Sequence, residues 1–182
     1  GYLICQSCGR KYPVNDGIVN MLPDDLFVER AIAAFDADAV KSSSVERTKD
    51  AVTINKKNEM YARNQEASVY HTFLTPVHVV CEQSTFKEFL HLSSRDVVVE
   101  LGCGTGKLTR ELTAGGAYAD YIAVDFSEES IKILAAQMDK KAREKILLVV
   151  GDVCNLPVKP QIADKIVSAQ VFEHIPGTSE QL

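Results

Sequence analysis

Three glycines in five positions follow a run of β-branched residues in VVVELGCGTGKLTREL, residues 97–112. A chain gives up side chains in this way where something must approach its backbone closely. A dinucleotide loop has the spacing G-x-G-x-x-G, whose third glycine here would be residue 107, and that residue is Lys107. A phosphate-binding G-x-x-x-x-G-K-[ST] loop is absent as well. What remains is E-x-G-x-G-x-G, Glu100 through Gly106. Further acidic candidates are Asp125, 19 residues after Gly106, and Asp152 in GDV, with Glu173 and His174 in FEHIP beyond them. Each also has a local reading. Glu100 can satisfy loop amides, Asp125 can neighbour a helix cap at Ser127, Asp152 can form an Asx turn, and His174 can cap a helix. Cys103 reads as a small filler and Lys107 as a solvated helix residue.

These residues need elements to hold them. From residue 97 the pattern alternates between short apolar runs and amphipathic segments. VVVEL (97–101), YIAVD (121–125), ILLVV (146–150) and KIVSA (165–169) predict four strands covered on both faces. A helix is expected over 106–114, stopped by Gly115 and Gly116. A second is expected after Ser127, with Glu128 and Glu129 at its positive end and Ile131, Leu134, Ala135, Met138 and Ala142 as one buried stripe. Strand–helix alternation predicts an α/β fold with a doubly wound, mostly parallel, Rossmann-like sheet. Upstream, Leu26, Phe27, Ile32 and Phe35 form a patchy helical pattern over 24–40, and KSSSVERTKD (41–50) reads as a polar linker. A helix over 56–72 presents Met60, Tyr61, Ala67 and Tyr70. Pro76 opens another with Val77, Val80 and Cys81 on one face.

The chain has 182 residues, 46% hydrophobic and 25% charged, the composition of an ordinary globular protein. Its net charge of −5 provides no basic field for nucleic acid. No stretch approaches the roughly 20 apolar residues that span a bilayer, and no signal peptide opens the sequence, so the expected compartment is the cytoplasm. Five cysteines, of which only Cys5 and Cys8 are close in sequence, argue against a disulfide framework.

Four segments taken together, VVELGCGTG, AVDFSEESI, VVGDVCNLPV and ADKIVSAQVFEHI, resemble the successive motifs of class I S-adenosylmethionine-dependent methyltransferases. The sub-group they are most similar to is typified by ubiquinone- and menaquinone-biosynthesis enzymes. The resemblance covers residues 97–176 and implies S-adenosylmethionine as cofactor. It places Glu100 near the ligand's ammonium and lets the ligand lie against Gly102 and Gly104 in the loop closed by Gly106. It implies that Asp125 accepts both ribose hydroxyls and that Phe126 covers adenine. Asp152 and the Val153 N–H would read the adenine edge, and Gln170 would lie near the transferable methyl. A loop of open N–H groups beside a carboxylate would answer both charges of a methionine moiety. His174 is the candidate general base, needed where the acceptor carries a proton. Tyr61, Arg63 and Tyr70 are candidates for a lid. The expected acceptor is a small molecule, with RNA or protein acceptors open. The rival reading is a non-catalytic cofactor-binding or activator protein. The family's sheet has seven strands and only four are legible after residue 97, so the sheet is expected to be incomplete at its C-terminal side or covered by another subunit, as in a homodimer.

Residues 1–23, with C-x-x-C, YP and NDG, resemble half of a zinc-ribbon-like methyltransferase-activator module. Tetrahedral zinc takes four ligands, usually from two such pairs, and Cys5 and Cys8 are one pair. An earlier pair has been lost, or zinc is shared between chains, or the module folds metal-free. The expected organisation is therefore a ribbon-like module at 1–23, a helical linker and lid region at 24–96, and a cofactor-binding core at 97–182.

Overall fold

A computed structural model describes residues 1–24, 26, 44–69, 75–156 and 158–175. The helical pattern beyond Leu26, including Phe27, Ile32 and Phe35, lies outside the described residues, as does Tyr70. Seven strands among the described residues form one sheet: β1 (Tyr2–Ile4), β2 (Lys11–Asn15), β3 (Ile18–Asn20), β4 (Val97–Leu101), β5 (Asp120–Asp125), β6 (Ile146–Val150) and β7 (Lys165–Ser168). Their order is β1-β2-β3-β6-β5-β4-β7, parallel from β3 to β7 and antiparallel across β1-β2-β3. The architecture is the Rossmann-like α/β fold expected.

The expected strands lie where the apolar runs put them. β4 is buried at Val98, Val99 and Glu100, and β6 at all but Leu147. From β4 the chain winds outward through β5 to β6, then crosses back so that β7 pairs on the other side of β4. Strand order therefore reverses between β4 and β7. In such sheets a crevice opens there at the carboxyl ends of the strands. The glycine turn, Asp125, Asp152 and Gln170 all follow those carboxyl ends.

Four helices pack on the sheet, preceded by a long N-terminal one: α1 (Ser44–Glu66), α2 (Pro76–Leu90), α3 (Lys107–Thr113), α4 (Glu128–Gln137) and α5 (Lys140–Lys145). The expected stripe is shared by two helices rather than one. Ile131 and Leu134 of α4 are fully buried, but the helix ends at Gln137. Asp139 then caps α5, its Oδ1 accepting the Ala142 N–H at 2.8 Å. Ala135, Met138 and Ala142 still pack against the same core, so the periodicity survives the break.

Two upstream expectations change. The polar linker at 41–50 is helical from Ser44, and the helix expected over 56–72 ends at Glu66. Its polar composition hides the helix from apolar periodicity, since ion pairs and one narrow stripe support it instead of a broad apolar face. In α2, Val77, Val80 and Cys81 are exposed, while Phe86 and Leu90 pack on the core.

The first 23 residues are not set apart from the sheet. Asp16 and Gly17, with φ of 52° and 77°, make a two-residue turn between β2 and β3 of the kind that suits a twisted hairpin. β3 then pairs parallel with β6, and the Met21 N–H donates to the Val150 carbonyl at 2.7 Å. Tyr12, Val19 and Met21 share a buried cluster with Val99, Val124 and Val149. Three of the seven described strands thus come from the N-terminal segment.

This shared core makes a prediction. Val19→Ala removes two buried methyl groups and is expected to cost about 2 kcal/mol. It should shift a single cooperative urea transition followed by far-UV circular dichroism; a separate early transition, with the main one unmoved, would contradict one common core.

Candidate functional site

A cavity of about 370 Å³ opens at the carboxyl edge of the sheet, beside the β4–β7 reversal. Of the residues expected at a cofactor, Glu100, Gly102, Gly104, Asp125, Phe126, Asp152, Val153 and Gln170 line it, and so does His174. Gly106 is not in its wall.

The three glycines are bare for different reasons. All have positive φ: 72°, 53° and 80° for Gly102, Gly104 and Gly106. A Cβ on Gly102 would fall 2.1 Å from Val171 Cγ2, and one on Gly106 would fall 2.1 Å from Leu134 Cδ1 of α4. Those two positions are bare so that the loop can pack against the protein itself. A Cβ on Gly104 would meet nothing within 4 Å, so Gly104 is the position where bareness leaves room for a ligand. Gly102 lines the cavity, but Val171 accounts for its missing side chain.

The loop also does not present a row of open N–H groups. Gly102 and Cys103 donate to the Val124 carbonyl at 2.8 and 2.9 Å, and Gly106 donates to the Cys103 carbonyl at 2.9 Å. The Gly104 N–H donates to Asp125 Oδ2 at 2.7 Å. Asp125 Oδ1 accepts from the Ser127 N–H at 2.8 Å. One carboxylate therefore ties the glycine turn to the start of α4. Burial pushes the Asp125 carboxyl above the usual aspartate range, while the N–H groups of Ser127 and Gly104 pull it down.

Glu100 is 3% exposed. Its Oε2 accepts from Thr109 Oγ1 at 2.6 Å and from the Tyr121 hydroxyl at 2.7 Å. The loop amides are thus not its partners. Burial pushes its carboxyl up to about 7 against those two donors, with the negative charges of Asp125 and Glu82 adding to the rise. Burial likewise raises the Cys103 thiol, which removes it as a nucleophile and fits a small filler.

Three helical residues line the cavity without a sequence signal that would have singled them out. Lys56 and Glu59 come from α1, and Glu82 from α2. Lys56 Nζ lies 2.5 Å from Asp152 Oδ2. Glu82 Oε2 pairs with Lys107 Nζ at 2.7 Å, and Gln170 Nε2 lies 3.5 Å from Glu82 Oε1. Lys107 is therefore part of the cavity wall, not a solvated helix residue. Of the lid candidates, Arg63 lines the cavity whereas Tyr61 is exposed outside its wall. Arg63 Nη2 and Glu59 Oε1 stand 3.4 and 3.5 Å from His174 Nδ1. Helix register, not residue type, selects these side chains, and register is legible only once the helix ends are known.

At the other end of the sheet, backbone N–H groups of Cys8 and Ser7 hold the Cys5 thiol below its usual range. Cys5 and Cys8 supply two donors where tetrahedral zinc needs four. Among the described residues no group of three or more His, Cys, Asp and Glu side chains comes together to hold a metal. The described residues do not complete a zinc site. Among the described residues no helix is long and apolar enough to cross a membrane.

Residues 98–181 match the methyltransferase domain family. An uncharacterised methyltransferase of Geobacillus sp. (strain WCH70) is 39% identical over 83 residues, which are 43% of this chain and 34% of that protein. The chain thus matches about a third of its relative's length. Among solved structures, a chain of the complex between the Haloferax volcanii Trm112 methyltransferase activator and a methyltransferase superposes with a TM-score of 0.55. It is 20% identical, covering 64% of this chain and 50% of that one. A Methanococcus maripaludis protein assigned as an S-adenosyl-L-methionine-dependent methyltransferase is 23% identical with a TM-score of 0.48, covering 61% and 50%. At 20% identity the Haloferax volcanii superposition speaks to the fold alone. In sequence, residues 98–181 match a methyltransferase domain, and the superposition at a TM-score of 0.55 places them in the same fold.

The Glu100 carboxyl gives a pH prediction. Its native value near 7 exceeds the unfolded 4.5, so folding favours the protonated form. The stabilisation is complete below about pH 4.5 and is lost as pH rises through 7, a difference on the order of 3 kcal/mol. Relative to Glu100→Gln, the native protein should lose stability between pH 5 and 8 in urea titrations; parallel pH profiles would contradict the assignment.

Proposed function

We propose that the protein transfers the methyl group of S-adenosylmethionine to a small-molecule acceptor. The observation that carries this reading is the convergence of Glu100, Gly104, Asp125 and Asp152 on one cavity at the strand-order reversal. The charge of the wall supports it. Glu59, Glu82, Asp125 and Asp152 face Lys56, Arg63 and Lys107, leaving an acidic balance suited to a sulfonium-bearing ligand.

In this reading Asp125, already fixed by two backbone N–H groups, directs its remaining lone pairs at the ribose hydroxyls, and Gly104 leaves room beside it. Phe126 covers one face of adenine, while Asp152 and the Val153 N–H meet its polar edge. Glu100 lies towards the ammonium of the methionine portion, whose positive charge would favour its ionised form, and Gln170 lies towards the methyl. When bound, the cofactor supplies an electrophilic methyl on a good leaving group, so positioning and exclusion of water can provide most of the rate. His174 removes the acceptor's proton where there is one, and Glu59, 3.5 Å from Nδ1, is placed to hold a proton on that nitrogen. The sub-group resemblance and the net charge of −5 favour a small acceptor of the quinone-precursor, sugar or secondary-metabolite kind over RNA. Residues 1–23 extend the sheet with a ribbon-like hairpin, α1 and α2 from the 24–96 segment cover the cavity, and the segment 97–182 is the cofactor-binding core.

Calorimetry with S-adenosylhomocysteine tests the reading. Micromolar binding by the intact chain is expected, weakened at least about tenfold in Asp125→Ala, which removes a charge-assisted pair of hydrogen bonds. Absence of binding, or binding indifferent to Asp125, would overturn it.

A further inference from the structure

Helix α1 reaches the cavity along a single face. Lys56, Met60, Arg63 and Asn64 recur at i, i+4, i+7 and i+8, with Ala67 just past the helix end, and Met60 and Ala67 are the buried apolar members. The polar members end on three different loops at the carboxyl edge of the sheet. Asn64 Oδ1 accepts from Ser127 Oγ at 2.7 Å and from the Glu129 N–H at 3.2 Å, beside Asp125. Arg63 stands against His174 after β7. Lys56 goes to Asp152 after β6.

The last contact has a consequence for binding. The side chain of Asp152 is 6% exposed and that of Lys56 is 19% exposed, so the pair is largely out of water. Asp152 Oδ1 already accepts the Cys154 N–H at 3.0 Å in a local turn. Lys56 Nζ holds the second oxygen, Oδ2, at 2.5 Å. An amine of a purine ring approaching Oδ2 meets Lys56 there and competes with it for position and charge. Removing a cation from a buried carboxylate without replacement is costly, so the exchange favours a ligand that brings its own donor.

We propose that Lys56 is a gate on the purine subsite: it holds Asp152 through Oδ2 and is displaced by the ring amine of the adenosyl ligand. This rests on the reading of the cavity given above. Lys56 acts at the nucleoside end, so adenosine alone suffices to displace it, without any methionine portion. A lysine that instead met the methionine carboxylate would leave adenosine binding untouched.

Two measurements on the full chain test the gate. In calorimetry, Lys56→Met is expected to bind both adenosine and S-adenosylhomocysteine about tenfold tighter than the native protein, because the competing cation is gone. In the native protein, acetylation of Lys56 by an amine-reactive ester, followed by peptide mass spectrometry, is expected to run about threefold faster with saturating adenosine. The second readout stands even if the variant fails to fold. Unchanged or weaker adenosine affinity in the variant, a gain for S-adenosylhomocysteine only, or slower labelling of Lys56 with ligand would each overturn the gate while leaving the cofactor site intact. Failure of native protein and variant alike to bind either compound would overturn the reading of the cavity and the gate together.

Discussion

A single carboxylate organises the carboxyl edge of this sheet. Asp125 is the last residue of β5, and its two oxygens accept N–H groups from opposite sides, Gly104 in the turn after β4 and Ser127 at the start of α4. Without it, two partly buried backbone donors would lose their partners and two loops would lose their common reference. Its position is in turn set by the parallel pairing of β4 and β5, in which Leu101 lies opposite Val124. The glycines follow from the same closeness. Gly102 and Gly106 let the turn settle against Val171 and Leu134, leaving Gly104 at the open side. The cavity is what remains when a loop is drawn this tightly onto a neighbouring strand.

Around that centre the wall is built from three sources that do not touch in sequence. The strands provide Glu100, whose charge is suppressed by burial and held by Thr109 and Tyr121. The end of β5 provides Asp125 and the loop after β6 provides Asp152. The helices α1 and α2 bring Lys56 and Glu82, each paired across the cavity edge to a residue of the core. The N-terminal strands stay away from the cavity wall and instead extend the sheet beyond β6, burying Tyr12 and Val19 against the face that β5 and β6 would otherwise expose.

What could be read in the chain, and what could not, divides along local and non-local lines. The strands ending at Leu101, Asp125 and Val150 stood out because a parallel strand covered on both faces must be apolar throughout, and their ends located the acidic residues. The spacing of the glycines was equally legible, but not the use of each, because Val171 and Leu134 lie 69 and 28 residues further along than Gly102 and Gly106. α1 was hidden over its first turns because Ser, Glu, Arg, Thr and Lys there give no apolar period. Lys56 and Glu82 gave no signal at all, since a lysine or glutamate on a polar helix reads as solvated until the helix is docked. The break between α4 and α5 at Asp139 escaped for the opposite reason: the buried stripe runs on across it.

The central claim, that this edge of the sheet grips an adenosyl ligand through Asp125, is met most directly by a crystal structure of the protein soaked with S-adenosylhomocysteine. The account predicts the ribose hydroxyls within about 3 Å of the Asp125 carboxylate and the ligand passing over Gly104. Density for the ligand elsewhere, or a ligand in the cavity with its ribose turned away from Asp125, would contradict it.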